Sequence, residues 1–307
     1  MIDFDKGKER FNNYLGAEKK TTVLYDGEIY MLKYPDPVRA NKLKDELSYK
    51  NNQFSEYIGC EIFKACGFVT QEATLGHFTD RSGKRKTVVG CKDFTQHGGE
   101  FFEMKKLGNQ TDVDGAGSKI KLSIEDVYEI INESPQIENK QEIIDGFWDM
   151  FVVDTLIGNG DRHLGNWGLM VHGEEVSLAP IYDCGSSLGA LLNDDGMKSL
   201  LEKPHLFRNT ELNQTSCYSM DGKRIFNIDI FKNPPPDLTN AIKRTAPNID
   251  IDEINAIIDK TPEVSDIRRE YLKQAVDMRY KEIIAPSLNR ILKQERQHNA
   301  PTHTEDF

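Results

Sequence analysis

The chain of 307 residues has no apolar run long enough to cross a bilayer. Its most apolar stretch, residues 147–157, is interrupted by Asp149 and Asp154 and falls short of the roughly 20 residues that a spanning helix needs. Stable membrane insertion is therefore not expected. The N-terminal residues Met1-Ile2-Asp3-Phe4-Asp5 are acidic and lack the apolar centre of a cleavable secretory signal. A cytoplasmic protein is the expectation, with export by a signal-independent route left open. Cysteine is sparse: Cys60, Cys66, Cys91, Cys184 and Cys217 form no Cys-x-x-Cys pair, and an odd number leaves at least one thiol unpaired in any intramolecular disulfide scheme. Positive charge is also in deficit, with 39 Lys and Arg against 50 Asp and Glu and a net charge of -11. So acidic a body repels a polyphosphate backbone, and nucleic acid is not an expected partner. Internal repeats and low-complexity segments are missing as well.

What is present divides by composition. Residues 21–25 and 28–34 are β-rich runs around Asp26-Gly27, a strong hairpin signal because both turn residues tolerate the positive φ of a type I′ turn. Pro35 and Pro37 end the second run. In residues 53–66, Phe54, Tyr57, Ile58, Ile62 and Phe63 recur at helical spacing, and Gly67 is placed as a C-terminal cap. Two more β-like runs follow, near 73–78 and 87–91. Strand, strand, helix, strand, strand is the order of a small nucleotide-binding lobe. Beyond Phe94, Gly98-Gly99 and the polar run 108–119 suggest mobile loops, and the remainder reads mostly helical. Ser123 and Asp126 make an imperfect capping box, residues 143–157 form a central helix apolar on most faces, and Ser265 caps a long helix that Pro286 kinks or restarts. The expected fold is α+β and two-lobed, of protein-kinase type. Its β-rich nucleotide-binding lobe spans 1–93, its helical catalytic lobe 94–297, and a polar tail 298–307.

The most informative segment is Gly158-Asn159-Gly160-Asp161-Arg162-His163-Leu164-Gly165-Asn166, followed beyond one hairpin by Ile181-Tyr182-Asp183-Cys184-Gly185. Trp167 to Val171 reads as a strand, His172-Gly173-Glu174 as a turn, and 175–179 as the returning strand. Asn166 precedes the hairpin and Asp183 follows it, so both emerge at one end, beside Asp161. A lone carboxylate, an amide and a second carboxylate arranged in this way suit phosphoryl transfer, with Asp161 as base and Asn166 and Asp183 as Mg²⁺ ligands. His163 reads as a brace for the loop. Arg162 has two open partners, a phosphate or an acidic side chain. A polar surface turn is the plainer reading of Asp161-Arg162-His163 alone; the spacing to Asn166 and Asp183 argues against it.

The β-rich lobe offers the missing parts. Lys33, at the end of the second strand, is placed to reach the α- and β-phosphates of ATP, and Glu56 on the first helix is placed to orient it. A solvated strand-edge charge and an exposed helix residue are the competing readings. Gly16, Ala17 and Lys19, just ahead of the first strand, are candidates to cover the phosphates, although the segment matches neither Gly-x-Gly-x-x-Gly nor a Walker A sequence. Cys91 and Asp93, where composition changes, mark either a hinge against adenine or an ordinary strand end.

These residues resemble the HipA-like serine/threonine kinases, in particular their compact, CtkA-like (cell-translocating kinase) branch. The resemblance runs from the Asp-Gly hairpin through Phe54-Ser55-Glu56-Tyr57, Cys91-Lys92-Asp93-Phe94-Thr95 and Phe147-Trp148-Asp149-Met150-Phe151 to the two blocks around Asp161 and Asp183. It implies ATP and Mg²⁺ as cofactors, transfer to Ser or Thr hydroxyls of a protein substrate, Lys33 as the nucleotide lysine, Asp161 as the catalytic aspartate, and Asn166 and Asp183 as metal ligands. About twenty residues precede the first strand here, where the family's larger toxins carry an extra segment, so an antitoxin partner stays an open expectation. Some members silence themselves by phosphorylating a serine of the phosphate loop. Residues 14–20 contain none, which leaves Thr21, Thr22 or another residue for such control. Asp161-Arg162-His163-x-x-Asn166 also resembles the catalytic loop of phosphatidylinositol kinases, although Asp183-Cys184-Gly185 replaces their Asp-Phe-Gly and no polybasic segment is evident. A nucleotide-binding pseudokinase and a helical adaptor over 237–295 are the non-catalytic alternatives.

Overall fold

The computed structural model describes residues 1–10, 20–34, 51–96, 98–108 and 122–298. Strands β1 (Ile2–Asp3), β2 (Lys8–Arg10), β3 (Lys20–Tyr25) and β4 (Glu28–Lys33), helix α1 (Asn52–Ala65), and strands β5 (Ala73–Thr79) and β6 (Arg85–Lys92) make the first lobe. They form one six-stranded sheet in the order β1-β5-β6-β4-β3-β2. The Asp-Gly hairpin is the β3–β4 turn, with Asp26 at φ 50° and Gly27 at φ 81° as a type I′ turn requires. Gly67, at φ 93°, follows the end of α1 as expected. Strands β1 and β2 extend the four-strand expectation at both edges, β1 running parallel to β5. They are two and three residues long, too short for an alternating pattern to show in sequence.

The two-residue period of a strand sorts the sheet into two faces. Leu32 and Val88 enter a small outer core with Phe4, Val23, Tyr34 and Phe78. Their neighbours Met31, Val89 and Cys91 face α1, whose Phe54, Ile58, Ile62 and Phe63 are buried against them. Each such side chain contributes about 1.5–3 kcal/mol relative to exposure. Gly90 lets the outer face close over Phe4, since a Cβ there would lie 2.3 Å from the Phe4 ring.

The second lobe contains β7 (Glu100–Glu103), α2 (Met104–Leu107), α3 (Ile124–Glu133), α4 (Lys140–Ile157), β8 (Gly168–His172) and β9 (Glu175–Leu178). It continues with α5 (Asp194–Leu201), α6 (Pro204–Leu212), β10 (Thr215–Met220), β11 (Lys223–Phe226), α7 (Asn227–Lys232), α8 (Pro236–Thr245), α9 (Ile251–Lys260), α10 (Asp266–Arg279) and α11 (Ala285–His298). The capping box is complete: Ser123 Oγ accepts from the Asp126 N–H at 3.1 Å and Asp126 Oδ2 from the Ser123 N–H at 2.7 Å. Helix α4 is buried along nearly its whole length, as its apolar sequence implies. The expected long C-terminal helix is interrupted by a π-helical segment, Tyr280–Ile284, directly ahead of Pro286. Proline lacks the N–H that the regular ladder would use there, and α11 restarts around it.

One expectation is corrected. The part of the chain beyond Phe94 that reads mostly helical includes β7, which pairs antiparallel with β8 and makes a third strand beside the β8–β9 hairpin. Two glycines at positive φ, Gly98 and Gly99, precede it and gave the stretch the look of a loop. Contacts that tie the lobes together include a parallel bridge between Thr70 and Ile181, a clasp of His77 and Thr87 onto Glu263, and the Lys33–Asp183 ion pair.

Candidate active site

Lys33 is the last residue of β4 and shares the α1-facing side with Met31. Helix α1 answers with one stripe, Asn52, Glu56, Gly59 and Phe63, at helical spacing. Each member meets the second lobe: Asn52 and Glu56 lie against Gly185, Gly59 against Cys184, and Phe63 under the Arg162 guanidinium, 5.7 Å from its ring centre. A Cβ on Gly59 would stand 2.6 Å from that of Cys184, so a side chain here separates helix from loop.

Glu56 is 0% exposed, which only a paired carboxylate tolerates. Its Oε2 accepts from Lys33 Nζ at 2.9 Å and its Oε1 from the Cys184 N–H at 3.2 Å. Lys33 Nζ also donates to Asp183 Oδ1 at 2.7 Å. Burial opposes ionisation of Asp183, but the Lys33 ammonium outweighs it, helped by Lys20 and Arg162, and brings the carboxyl down to about 2. Asp183 sits at φ 58°, a left-handed conformation that costs a non-glycine residue on the order of 1–2 kcal/mol and that the surrounding bonds hold in place. Both plainer readings fail: Lys33 is no solvated strand edge and Glu56 is no exposed helix residue.

The loop bearing Asp161 starts where α4 ends, at Gly158 with φ 68°. Asn159 Nδ2 donates to Asp154 Oδ1 at 2.9 Å, and the Asp161 N–H donates to Asn159 Oδ1 at 3.2 Å. Asn166 Nδ2 donates to the Asp161 carbonyl at 2.7 Å, which leaves its own amide oxygen as the acceptor that a cation can use. Ser186 Oγ donates to Asp161 Oδ2 at 3.2 Å. His163 is a brace, its Nδ1 accepting from the Gly165 N–H at 3.1 Å. Burial, then the nearby Asp161 carboxylate, pushes the Cys217 thiol up to about 12, so it stays protonated beside Asp161.

Arg162 pairs with an acidic side chain. Its Nε and Nη2 reach Asp154 at 2.9 and 3.0 Å, Nη1 donates to the carbonyls of Asn166 (2.8 Å) and Tyr182, and Nη2 lies 3.5 Å from Cys184 Sγ. One guanidinium thus clamps the backbone of one candidate metal ligand, Asn166, and of the residue before the other, Asp183. Sequence reasoning left this partner open and assigned Asp154 no role. The signal was there: Asp154 is an acidic residue on a helix that is otherwise apolar, and a buried carboxylate demands a cation. Ser186 and the aromatic cluster of Phe94, Phe101 and Tyr182, with ring centres 5.3–6.1 Å apart, had no signal, since they meet only in the folded chain.

The remaining candidates are placed less directly. Cys91 lies inside β6, whose backbone is paired on both sides, and its thiol is buried on the face towards α1. Burial, then the Glu56 carboxylate, raises its pKa beyond the ordinary thiol range. Asp93 donates its N–H to the Ile29 carbonyl at 2.8 Å, and its carboxylate caps the turn at Thr95. Gly16, Ala17 and Lys19 lie outside the described residues. Cys184 is fully buried.

Among the described residues, no three His, Cys, Asp or Glu side chains gather into a metal cage. Asp183 and Asn166 instead offer a carboxylate and an amide oxygen, a donor set that suits Mg²⁺, which keeps most of its shell for water and phosphate. Asp183 is held ionised and its second oxygen takes none of the described hydrogen bonds, so the residues fit that ion.

A sheet lobe with a buried Lys–Glu pair, set against a helical lobe with an aspartate loop and a metal-type aspartate, defines a two-lobed protein-kinase-like fold. The profile of the HipA-like C-terminal domain matches residues 14–246. The chain is 36% identical over 285 residues to the serine/threonine-protein kinase CtkA of Helicobacter pylori strain J99, covering 91% of this chain and 84% of that protein. It superposes on the crystal structure of a Helicobacter pylori proinflammatory kinase CtkA with a TM-score of 0.83 at 34% identity, covering 95% of this chain and 98% of the other. It also matches the HipA, HipB and operator DNA complex of Shewanella oneidensis MR-1 with a TM-score of 0.50 at 13% identity, covering 94% of this chain and 66% of the other, which is a likeness of fold alone. The chain belongs to the HipA-like kinase family and is a serine/threonine-protein kinase.

Proposed function

We infer that the chain transfers the γ-phosphate of ATP to Ser or Thr hydroxyls of a protein substrate, with Mg²⁺. The observation that carries this reading is the Lys33 ammonium shared between Glu56 and Asp183, with the Asp161 loop fastened to the same segment. Lys33 holds the α- and β-phosphates, and Glu56 fixes its direction. Asp183 and Asn166 hold the ion, which when bound neutralises charge on the phosphates. Asp161 accepts the proton of the incoming hydroxyl through its carboxylate, and an ordinary carboxylate suffices because positioning and charge neutralisation do most of the work. The Cys91–Phe94 segment and the rings of Phe94, Phe101 and Tyr182 form the adenine end, by backbone and by stacking. Gly16, Ala17 and Lys19 cover the phosphates. The net charge of -11 favours a basic acceptor through steering. A cytoplasmic protein agrees with the lack of any helix, among the described residues, long and apolar enough to cross a membrane.

The test is transfer of γ-labelled phosphate from Mg-ATP, offered both a basic protein and phosphoinositide vesicles, beside Asp161→Asn and Asp183→Ala. Label on protein Ser or Thr, lost in both variants, is the expected result. Label in lipid would establish a lipid kinase instead, and nucleotide binding without transfer a pseudokinase.

A further inference from the structure

We propose that one ordered water is built into the back of the Asp161 loop, bound between Thr155 and Asn227 in a polar cavity. The cavity lies where α4, β10 and the start of α7 meet, and its volume is about 10 Å³. Asp154, Thr155, Asn159, Arg162, Ser216 and Asn227 wall it, beside apolar side chains of α4. That is room for a single water.

Two side chains require an occupant. Thr155 and Asn227 are 1% and 4% exposed, and among the described residues neither Thr155 Oγ1 nor Asn227 Oδ1 has a hydrogen-bond partner. A buried oxygen left unpaired is costly and therefore rare, and here two line one cavity. Thr155 is the sharper case. It follows Asp154 in an otherwise apolar run of α4, residues 150–157, where valine would have the same shape with no polar atom to satisfy. A helical threonine can satisfy its hydroxyl on the carbonyl four residues back, and this one does not.

The walls select what binds. Asn227 Oδ1 only accepts, whereas the Thr155 hydroxyl can give or accept a proton, so the occupant must be able to donate. Asp154 and Arg162 form a closed pair on the same wall, at 2.9 and 3.0 Å. The guanidinium disfavours a cation there and the carboxylate an anion. A neutral molecule of one heavy atom that donates and accepts is water. It ties α4 to α7 at the point where the base loop is fastened: Asp154 accepts from Asn159 Nδ2 at 2.9 Å, and Asn159 Oδ1 accepts from the Asp161 N–H at 3.2 Å. Thr155 and Asn227 are thus positioning residues, acting on Asp161 through the last turn of α4. This effect on catalysis rests on Asp161 as the base; the water site does not.

A crystal structure of the chain at a resolution that shows ordered water, together with magnetic relaxation dispersion of the solvent, tests the site. One water is expected within hydrogen-bond reach of Thr155 Oγ1 and Asn227 Oδ1. Thr155→Val should hold one long-lived water fewer than the wild-type chain, and Thr155→Ser the same number. In transfer from Mg-ATP to a basic protein, Thr155→Val should lower kcat by roughly 3- to 10-fold with KM for ATP unchanged, and Thr155→Ser should restore it. Both oxygens bonded directly to protein groups, or an ion in the cavity, would overturn the site. An unchanged kcat in Thr155→Val despite loss of the water would overturn its positioning role. Lack of transfer by the wild-type chain would overturn the phosphotransferase reading instead, with the water site decided by density and relaxation alone.

Discussion

Two buried cations lie close together in this protein and are built differently. Lys33 is shared between Glu56 and Asp183, carboxylates from different lobes, and the Asp183 side chain keeps 32% of its exposure. Arg162 is locked to Asp154 by two parallel bonds within one lobe, both side chains about 5% exposed, and spends its other donors on carbonyls and a sulfur. An ammonium is a point charge that can redistribute among oxygens, while a guanidinium fork fixes geometry. The first keeps an exposed side at Asp183, where the proposed function has a phosphate take a carboxylate's place; the second has no such exposed side and serves as a brace. A buried charge pair therefore says little about its role until its exposed side is known.

Substitutions separate the two roles. Arg162→Ala strands the buried Asp154 carboxylate and releases both loops, and a loss of about 3–5 kcal/mol is expected in denaturant unfolding. Arg162→Lys should recover only part of it, because the fork is gone; full recovery would mean that charge alone matters. Lys33→Met likewise strands the buried Glu56 carboxylate, so its mark is on the chemistry: phosphate transfer should fall by roughly 100-fold or more under conditions where urea unfolding shows the variant still folded, as read by initial rates on the same preparations. Gly59→Ala wedges α1 away from Cys184, and a loss of about 1–3 kcal/mol is expected with a further fall in transfer. If transfer survives unchanged, the contact between α1 and the Asp183 segment is not what sets the Lys33–Glu56 pair.

The smallest effect is acid dependence. The Asp183 carboxyl is held at about 2, below the ordinary 3.8, so it contributes stability that is fully present above about pH 4 and lost as pH falls through 2. With a partly exposed side chain this is worth no more than about 2 kcal/mol. Unfolding curves of the wild-type chain and Asp183→Asn should converge between pH 4 and pH 2; parallel curves would remove Lys33 as the cause.

The legible parts were those governed by neighbours in sequence. Asp26-Gly27 defined its hairpin, Ser123 and Asp126 their cap, and the apolar spacing of α1 its buried faces. The hairpin between Asn166 and Asp183 needed only a turn at Gly173 to return both to one end. Strand β7 was hidden because its pairing with β8 joins residues some seventy positions apart, and the two glycines before it carried the stronger local signal.

The sequence by itself determined the order of elements, the acidic body and the residue types of the site, because periodicity, turn chemistry and charge are local properties. Only the tertiary structure decided that Asp154 rather than a phosphate takes Arg162, that Lys33 is divided between two lobes, and that Ser186 and not Ser187 meets Asp161. The reason is physical: a buried charge takes the partner that packing brings within 3 Å, and spacing along the chain does not reveal which one that is.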